Sequence, residues 1–296
     1  MQADRGEGEE SVAAKSAGNS SQGAAGTPQR GRERLDKIMV DRGLVETRSR
    51  AQALIMAGKV RAGGQPVTKA GTPVPLDAEI SVDEGQRWAS RGAYKLLGAF
   101  DAFPSLTAEG RVCVDIGAST GGFTDVLLDR GAQKVYAVDV GYGQLIWRLA
   151  SDERVVVKDR TNARNLVASD FGEAVSLAVC DASFISLRLI LPAIDGFLSP
   201  EGEAVVLIKP QFEAGRERMS GTKGVIRDPA LHAAVLGEVT DFIREETALN
   251  VAGLTWSPIL GPEGNLEFLC HLTRDDRDFA FSVEEIVFAA HQVLKK

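Results

Sequence analysis

The chain has 296 residues, of which 44% are hydrophobic, and it carries a formal net charge of −7 at pH 7. This length and apolar content predict one large folded domain together with a small one, and the acidic balance excludes a surface that is basic throughout. The three cysteines show no pairing pattern, which argues against a disulfide framework and indicates a reducing compartment. The three histidines are scattered and no C-x-x-C pair occurs, so no metal site is predicted.

Residues 1–32 are rich in glycine, serine, alanine, glutamine and glutamate and contain almost no large apolar side chains. Such a composition cannot offset the entropy of ordering, so we expect a disordered tail. No apolar run reaches the length of a signal peptide core or a membrane span. The expectation is a soluble, cytoplasmic protein that does not enter a membrane.

Residues 33–84 have the pattern of a small α+β domain. Apolar residues share one face of a helix over 34–42, and a second helix is predicted to start near Thr47, with Ser49 and Gln52 in capping-box spacing. Short strands are expected around residues 60, 67 and 80–82, with turns at the glycine pair 63–64 and at Pro73 and Pro75.

Positive charge is concentrated in this small domain. Between residues 30 and 69 there are ten lysine and arginine residues against four acidic ones, although the whole chain is acidic. A basic face on a small helical module is typical of proteins that bind phosphate backbones, so we predict RNA binding, with a solvated surface as the alternative. The predicted RNA-binding residues are Arg34, Lys37, Arg42, Arg48, Arg50, Lys59 and Arg61.

Residues 85–90 are expected to be a linker, and residues 91–296 alternate apolar strands with helices. Continuous apolar strands separated by helices predict a parallel sheet covered on both faces, that is, an α/β Rossmann-like domain. The last two strands lack an intervening helix, so an antiparallel hairpin is expected at one edge. Strands are predicted at 112–116, 135–140, 155–158, 177–181, 204–209, 251–256 and 266–272.

A glycine-rich turn follows the first of these strands, in the segment DIGASTGGFT at 115–124. A strand, a tight loop and a helix N-terminus together form a pocket for a nucleoside-bearing cofactor. The spacing G-x-x-x-G-G differs from that of dinucleotide binders and indicates S-adenosylmethionine. Acidic residues ending three successive strands suit the same ligand, although each could instead be a cap or turn residue. The predicted cofactor-binding residues are Asp115, Gly117, Ser119, Gly121, Gly122, Phe123, Asp139 and Asp159.

Four further ionisable residues are candidates for the chemistry. Lys209 closes a very apolar strand, where a lysine is costly without a reason, and burial could lower its pKa towards that of a general base. Lys95 lies in a short helix before the sheet, Asp181 ends the fourth strand, and Glu267 is expected within the last strand. Taken singly, these three could be a surface lysine, a helix cap and an edge-strand charge.

Taken together, Lys95, Asp181, Lys209 and Glu267 resemble the K-D-K-E tetrad of ribose 2′-O-methyltransferases of the FtsJ/RrmJ-like class. Five segments over residues 33–295 resemble the TlyA family in the right order: RGAYKL at 91–96, DIGASTGGFT at 115–124, CDASFIS at 180–186, IKPQFE at 208–213 and GNLEF at 264–268. That family joins an RNA-binding domain of the ribosomal protein S4 type to a methyltransferase domain. The resemblance implies a seven-stranded sheet with one antiparallel strand.

The resemblance also implies methylation of cytidine 2′-hydroxyls in ribosomal RNA, on the large subunit alone or on both subunits. The hypothesis is that Lys209 takes the hydroxyl proton, Lys95 lowers the pKa of Lys209 and holds the hydroxyl, Asp181 orients the amine and Glu267 completes the hydrogen bonds. Three alternatives stay open: an RNA base methyltransferase, a membrane-active haemolysin, and an RNA-binding factor with an inactive methyltransferase fold. Oligomeric state cannot be read from the sequence.

Overall fold

The computed structural model describes residues 31–83, 87–275 and 280–294. The chain divides into two compact units, residues 1–85 and residues 86–296, and each has its own hydrophobic core. Residues 1–30 of the predicted tail and residues 85 and 86 of the predicted linker lie outside the described residues.

The smaller unit packs two helices and five short strands around Leu35, Met39 and Ile55. Its elements are β1 (Arg32–Arg34), α1 (Leu35–Asp41), α2 (Arg48–Met56), β2 (Val60–Ala62), β3 (Gln65–Val67), β4 (Pro73–Pro75) and β5 (Ile80–Val82). Strands β1 and β4 form an antiparallel pair, and the other three form an antiparallel sheet in the order β3-β2-β5. The predicted α+β character of this unit is confirmed.

Two local predictions for this unit were wrong. The cap of α2 is Thr47 rather than Ser49, because Thr47 has extended backbone angles and its hydroxyl accepts a hydrogen bond from the Arg50 N–H at 3.2 Å. The two prolines expected in turns form β4 instead. Proline is tolerated there because β4 pairs only with β1, so a missing N–H need not break a central ladder.

A fully buried carboxylate, that of Asp36, ties the two helices of the smaller unit together. It accepts hydrogen bonds from Arg34 at 3.0 and 2.9 Å, from Arg48 at 3.0 Å and from Gln52 at 2.9 Å. The hydrogen bonds from Arg34, above all, hold the pKa of Asp36 well below its usual range, although burial opposes this. Arg34 and Arg48, two of the predicted RNA-binding residues, therefore also have a structural partner.

The larger unit contains one seven-stranded sheet. Its strands are β6 (Val112–Ile116), β7 (Lys134–Val138), β8 (Val155–Lys158), β9 (Val175–Cys180), β10 (Leu198–Ile208), β11 (Asn250–Trp256) and β12 (Phe268–Thr273). The strand order is β11-β12-β10-β9-β6-β7-β8, and β12 is antiparallel to both of its neighbours. The predicted α/β class with a small α+β unit is confirmed, as is the single antiparallel strand.

Helices cover both faces of this sheet. They are α3 (Ala93–Ala102), α4 (Gly122–Asp129), α5 (Trp147–Ala150), α6 (Leu191–Phe197), α7 (Pro210–Glu213), α8 (Gly215–Met219), α9 (Pro229–Glu246) and α10 (Val283–Val293). One face buries Ile194, Leu236 and Phe268, and the other buries Leu96 and Leu127. Core residues on both faces explain why the strands read as continuous apolar runs rather than as alternating ones.

Three predicted strand ends are each off by one or two residues at candidate catalytic residues. Strand β9 ends at Cys180 and β10 ends at Ile208, so Asp181 and Lys209 follow their strands. Strand β12 begins at Phe268, so Glu267 precedes it. All three residues therefore lie just beyond the ends of their strands. None of the helices in the described part of the chain is long and apolar enough to cross a membrane.

We expect Asp36→Ala to lower the stability of the smaller unit, because it removes the buried acceptor shared by Arg34, Arg48 and Gln52. The loss should be about 1–3 kcal/mol, as for other buried hydrogen-bond partners. Hydrogen exchange of the full chain should show faster exchange in α2 than in the wild type. Asp41→Ala, an exposed carboxylate on the same helix α1, is the control. Equal exchange in both variants would contradict the role given to Asp36.

Candidate active site

The candidate site lies where the carboxyl ends of β6, β9 and β10 meet at one edge of the sheet. Strands β6 and β9 are parallel neighbours, but the order in which strands are added reverses between them: β7 and β8 follow on one side of β6, and β9 and β10 on the other. In open α/β sheets a crevice forms at such a switch point, outside the carboxyl ends of the strands. Asp181 and Lys209 follow β9 and β10 there, and Glu267 reaches the same edge because β12 runs in the opposite direction.

Four charged side chains meet at this edge. Lys209 Nζ lies 2.6 Å from Asp181 Oδ1, and Lys95 Nζ lies 3.1 Å from Asp181 Oδ2. Lys95 Nζ also lies 2.8 Å from Glu267 Oε2. The four residues that the sequence predicts as catalytic therefore form one continuous chain of ion pairs, in which the Asp181 carboxylate bridges two lysines.

The cluster is buried except at Asp181. Lys95, Lys209 and Glu267 are 6%, 5% and 1% exposed, so each charge needs a partner within the protein. Burial opposes the ammonium form of Lys95, but the carboxylates of Asp181 and Glu267 outweigh it and raise the pKa of Lys95 above its usual value. Lys95 is therefore a fixed positive charge at the site.

Lys209 has two further oxygen neighbours. Its Nζ donates to Ser183 Oγ at 2.7 Å and to the main-chain oxygen of Asp181 at 3.3 Å. Ser183 was not among the residues predicted from the sequence. Its position two residues after Asp181, in the loop that follows β9, is the signal that could have singled it out.

The glycine loop between β6 and α4 brings its backbone close to this cluster. Gly117 has a φ of +80°, and a Cβ there would lie 3.0 Å from the main-chain oxygen of Asp181. Gly121 has a φ of +102°, and a Cβ there would lie 2.3 Å from Leu149 Cδ1. Both positions therefore require glycine, for conformation and for space. Gly122 and Phe123 line the cavity that the loop borders.

Asp115 lies beneath this loop rather than at its surface. Its side chain is fully buried, and Oδ2 accepts hydrogen bonds from the Thr124 N–H at 2.8 Å and from the Thr124 hydroxyl at 2.6 Å. Burial raises the pKa of Asp115 to about 7, although the bonds from Thr124 act against the rise. The carboxyl group borders neither of the two cavities at the site, so it supports the first turn of α4 instead.

Two adjoining cavities open at this edge of the sheet. One, of about 310 Å³, is bordered by Lys95, Lys209, the glycine loop and the segment 90–92, and the other, of about 370 Å³, by Asp139, Thr161 and Asn162. Both are also bordered by Gly117, Ser119, Asp181 and Ser183. A ligand that occupies both would therefore pass directly over the cluster.

The two acidic residues predicted after β7 and β8 differ in placement. Asp139 borders the second cavity, and its oxygens accept from the Ser119 N–H at 2.8 Å and the Gly141 N–H at 2.7 Å. Asp159 accepts from the Gly143 N–H at 2.9 Å and borders neither cavity. The structure thus brings Asp139 to the site, and leaves Asp159 holding the loop after β7.

The basic residues predicted to bind RNA are exposed, apart from the partly buried Lys59, but several have partners within the smaller unit. Besides Arg34 and Arg48 on Asp36, Lys37 pairs with Glu33 at 2.6 Å and Arg42 donates to main-chain oxygens of Leu76 and Ala78. Arg61 donates to the Gly64 oxygen at 3.2 Å. Exposed pairs of this kind hold side chains weakly, so they leave the basic face available to a phosphate backbone.

We expect Asp115→Asn to change how stability depends on pH. The pKa of Asp115 is raised in the folded protein, so its contribution to stability is present below its unfolded pKa and is lost as pH rises through about 7. The asparagine variant lacks this loss. Relative to the wild type it should therefore gain on the order of 4 kcal/mol between pH 4 and pH 8.

Denaturant unfolding at a series of pH values measures this difference directly. Asp101→Asn, which removes an exposed carboxylate from α3, is the matched control and should follow the wild type. A difference between Asp115→Asn and the wild type that does not vary with pH would contradict the burial argument.

Comparison with known proteins identifies the family. Residues 88–274 match the FtsJ-like methyltransferase family, and residues 33–80 match the S4 domain family. A relative from Mycobacterium tuberculosis, the 16S/23S rRNA (cytidine-2'-O)-methyltransferase TlyA, is 46% identical over 90% of this chain and 98% of its own. Hemolysin A of Brachyspira hyodysenteriae is 41% identical over 80% of this chain and 98% of its own.

A solved structure gives the same result for the fold. The structure of a candidate hemolysin from Streptococcus thermophilus superposes with a TM-score of 0.68 and 43% identity, over 90% of this chain and 98% of that chain. The resemblance noted from the sequence motifs is therefore confirmed. The chain belongs to the FtsJ-like methyltransferase family, in the TlyA group that carries an S4 domain ahead of the methyltransferase domain.

Proposed function

We propose that this protein transfers a methyl group from S-adenosylmethionine to the 2′-hydroxyl of a cytidine in ribosomal RNA. The large subunit is the expected substrate, and the small subunit is a second one, as in the relative named for both 16S and 23S RNA. One observation carries the proposal: Lys95, Asp181, Lys209 and Glu267 form one ion-paired cluster beside a glycine loop and two joined cavities. An RNA substrate of this kind agrees with the expected cytoplasmic location.

The second cavity has the features that an adenosine-bearing cofactor requires. Its volume of about 370 Å³ lies in the range of small-molecule sites. Side chains at Gly117 would fill the space beside Asp181, so the absence of a side chain there keeps the cradle open. Asp139 is the proposed acceptor for ribose hydroxyls, and Gly117 and Ser119 border the same cavity. Gly122 and Phe123 would border the part of the ligand that extends into the first cavity. When bound, S-adenosylmethionine supplies an electrophilic methyl group on a sulfonium.

Each of the four charged residues has its own role in the proposed reaction. Lys209 is the group on which the hydroxyl proton ends, since its amine reaches the first cavity. Asp181 orients that amine through the 2.6 Å contact. Lys95, whose pKa is raised, holds the ribose oxygen and stabilises the negative charge that develops on it. Glu267 keeps the Lys95 ammonium in place. In-line positioning of the reacting groups contributes much of the rest.

The sequence hypothesis gave Lys95 two roles, lowering the pKa of Lys209 and holding the hydroxyl. The proposal keeps the second. In the structure both lysines contact the same carboxylate, one on each oxygen, and Asp181 lies between the two charges. The fixed charge of Lys95 therefore acts on the substrate oxygen in this proposal rather than on the other lysine.

The smaller unit would supply RNA affinity. It belongs to the S4 domain family, and the predicted RNA-binding residues other than Lys59 are exposed, in a chain that is acidic overall. Counterion release from RNA would then drive binding of the substrate.

A cytosine-carbon methyltransferase needs an accessible cysteine nucleophile. Cys180, next to Asp181, is fully buried, and burial raises the pKa of its thiol to about 12. A thiol in that state is a poor nucleophile, so Cys180 does not favour base methylation. A membrane-active role, suggested by the hemolysin name of one relative, draws no support from the helices of the described residues.

We expect Lys209→Ala to lower methyl transfer at least about 1,000-fold, because it removes the proposed base. Lys209→Arg should be equally inactive, since arginine keeps the charge but cannot take up a proton. Single-turnover transfer from labelled donor to separated ribosomal subunits measures the loss, and calorimetry should show cofactor binding close to that of the wild type.

Lys134→Ala is the matched control, because this lysine lies at the amino end of β7, at the opposite edge of the sheet. Alkaline hydrolysis of the wild-type product then identifies the modified atom. Ribose methylation blocks cleavage at one position, and a product that is cleaved there would rule out the proposed reaction. Substantial activity in Lys209→Ala would rule out Lys209 as the base.

We expect Arg50→Ala to weaken RNA binding without a loss of stability. The Arg50 side chain is exposed, and none of its contacts with described residues is a hydrogen bond or an ion pair. Its removal should reduce the slope of binding against salt by about one charge and change the unfolding free energy by less than about 0.5 kcal/mol. Arg48→Ala, which also removes a hydrogen bond to Asp36, should lower both the salt slope of RNA binding and the free energy of unfolding. Arg50→Ala with unchanged affinity and salt slope would contradict RNA binding through this face.

A further inference from the structure

We propose that the Ser183 hydroxyl relays the proton from the ribose 2′-hydroxyl to the Lys209 amine. This inference rests on the ribose methylation proposed above and adds a catalytic residue to it. The starting observation is that Ser183 Oγ lies 2.7 Å from Lys209 Nζ and borders both cavities.

The chemistry of the groups around Lys209 singles out this serine. Among the described residues, hydrogen-bond acceptors contact Lys209 Nζ at Asp181 Oδ1, at the Asp181 main-chain oxygen and at Ser183 Oγ. An ionised carboxylate and a carbonyl oxygen can only accept hydrogen bonds, whereas a serine hydroxyl accepts and donates. Of these three oxygens, only that of Ser183 can hand a proton to the amine.

The exposure of the two side chains also favours Ser183 as the group that meets the substrate hydroxyl. Lys209 is 5% exposed and borders the first cavity only, whereas Ser183 is exposed and borders both. A ribose hydroxyl that enters the first cavity, with the cofactor in the second, can reach the serine oxygen without displacing the contacts of the lysine. The hydroxyl thus provides the route from a solvent-accessible surface to a buried amine.

The loop that carries Ser183 is held by helix α7. Glu213, at the end of α7, accepts hydrogen bonds from the Ser186 hydroxyl at 2.6 Å and from the Leu187 N–H at 2.8 Å. The ring of Phe184 lies 5.2 Å from that of Phe212, which also belongs to α7. Because α7 directly follows Lys209, these contacts fix the serine and the lysine relative to one another. A relay needs such a fixed geometry.

The step starts from Lys209 as a neutral amine, after its ammonium has released one proton to solvent and its lone pair faces Ser183 Oγ. The 2′-oxygen forms a bond to the methyl carbon while the carbon–sulfur bond breaks, and its electron pair goes to sulfur. The 2′-hydroxyl proton moves to Ser183 Oγ, and the proton already on that oxygen moves to the lone pair of Lys209 Nζ. The products are the methylated ribose, the neutral thioether, an unchanged serine and a lysine ammonium. Two protons are therefore in motion in one step.

The test compares Ser183→Ala with Ser183→Thr in the full chain acting on ribosomal subunits. Ser183→Ala should lower the single-turnover rate about 100-fold or more, while Ser183→Thr, which keeps a hydroxyl, should stay within about threefold of the wild type. Rates in mixtures of light and heavy water should curve for the wild type and the threonine variant, as two moving protons require. The residual rate of the alanine variant should depend linearly on the heavy-water fraction.

Controls separate this proposal from the proposed function. Ser199→Ala, at the amino end of β10 and thus at the far edge of the sheet, should match the wild type. Calorimetry should show that all variants bind S-adenosylhomocysteine as the wild type does. If the wild type forms no alkali-resistant ribose product, the proposed function fails. If it does, but Ser183→Ala keeps its rate, or both serine variants lose it equally, or the wild-type plot is linear, the relay is wrong.

Discussion

The rest of the site depends on the ion pairs that the Asp181 carboxylate makes with two lysines. Its two oxygens contact two different lysines, at 2.6 and 3.1 Å, and one of those lysines contacts a second carboxylate at 2.8 Å. Taking such charges out of water costs several kcal/mol per ion, which their attraction offsets only when the geometry is good. A cluster of this kind is poor evidence for stability and good evidence for function, because an apolar replacement would serve the fold at least as well.

The fold meets this requirement through topology. The reversal of strand order between β6 and β9 opens a crevice in which the loop after β9 lies against the glycine loop, with Gly117 in contact distance of Asp181. The antiparallel direction of β12 then brings Glu267 to the edge at which β9 and β10 end. A parallel β12 would have placed that residue at the opposite edge. One inverted strand is thus what allows the fourth charge to join the other three.

Two kinds of residue lie at this edge of the sheet: those that support the loops around the cavities, and those whose side chains reach a cavity. Asp115 supports α4 through Thr124, and Glu213 holds the loop after β9 through Ser186 and Leu187. Burial raises the pKa of both carboxyl groups. These acids stabilise the two loops between which a ligand would lie, while Lys95, Asp181, Ser183 and Lys209 reach the first cavity. Similar residue types therefore serve different purposes, a few ångströms apart.

Local pattern in the sequence was enough to determine the α/β class and the seven strands of the sheet, and the resemblance to family motifs singled out the four charged residues of the cluster. Strand patterning depends on which faces are buried, and the motifs depend on residue type and order, so both are visible along the chain. The tertiary structure alone decided which acidic residue faces a cavity, since Asp115, Asp139 and Asp159 all follow strands but only Asp139 borders one. It also decided that Thr47 caps α2, that Arg34 and Arg48 are bound to Asp36, and that Ser183 contacts Lys209. These facts depend on side-chain direction and on contacts between residues far apart in the chain, which no local pattern encodes.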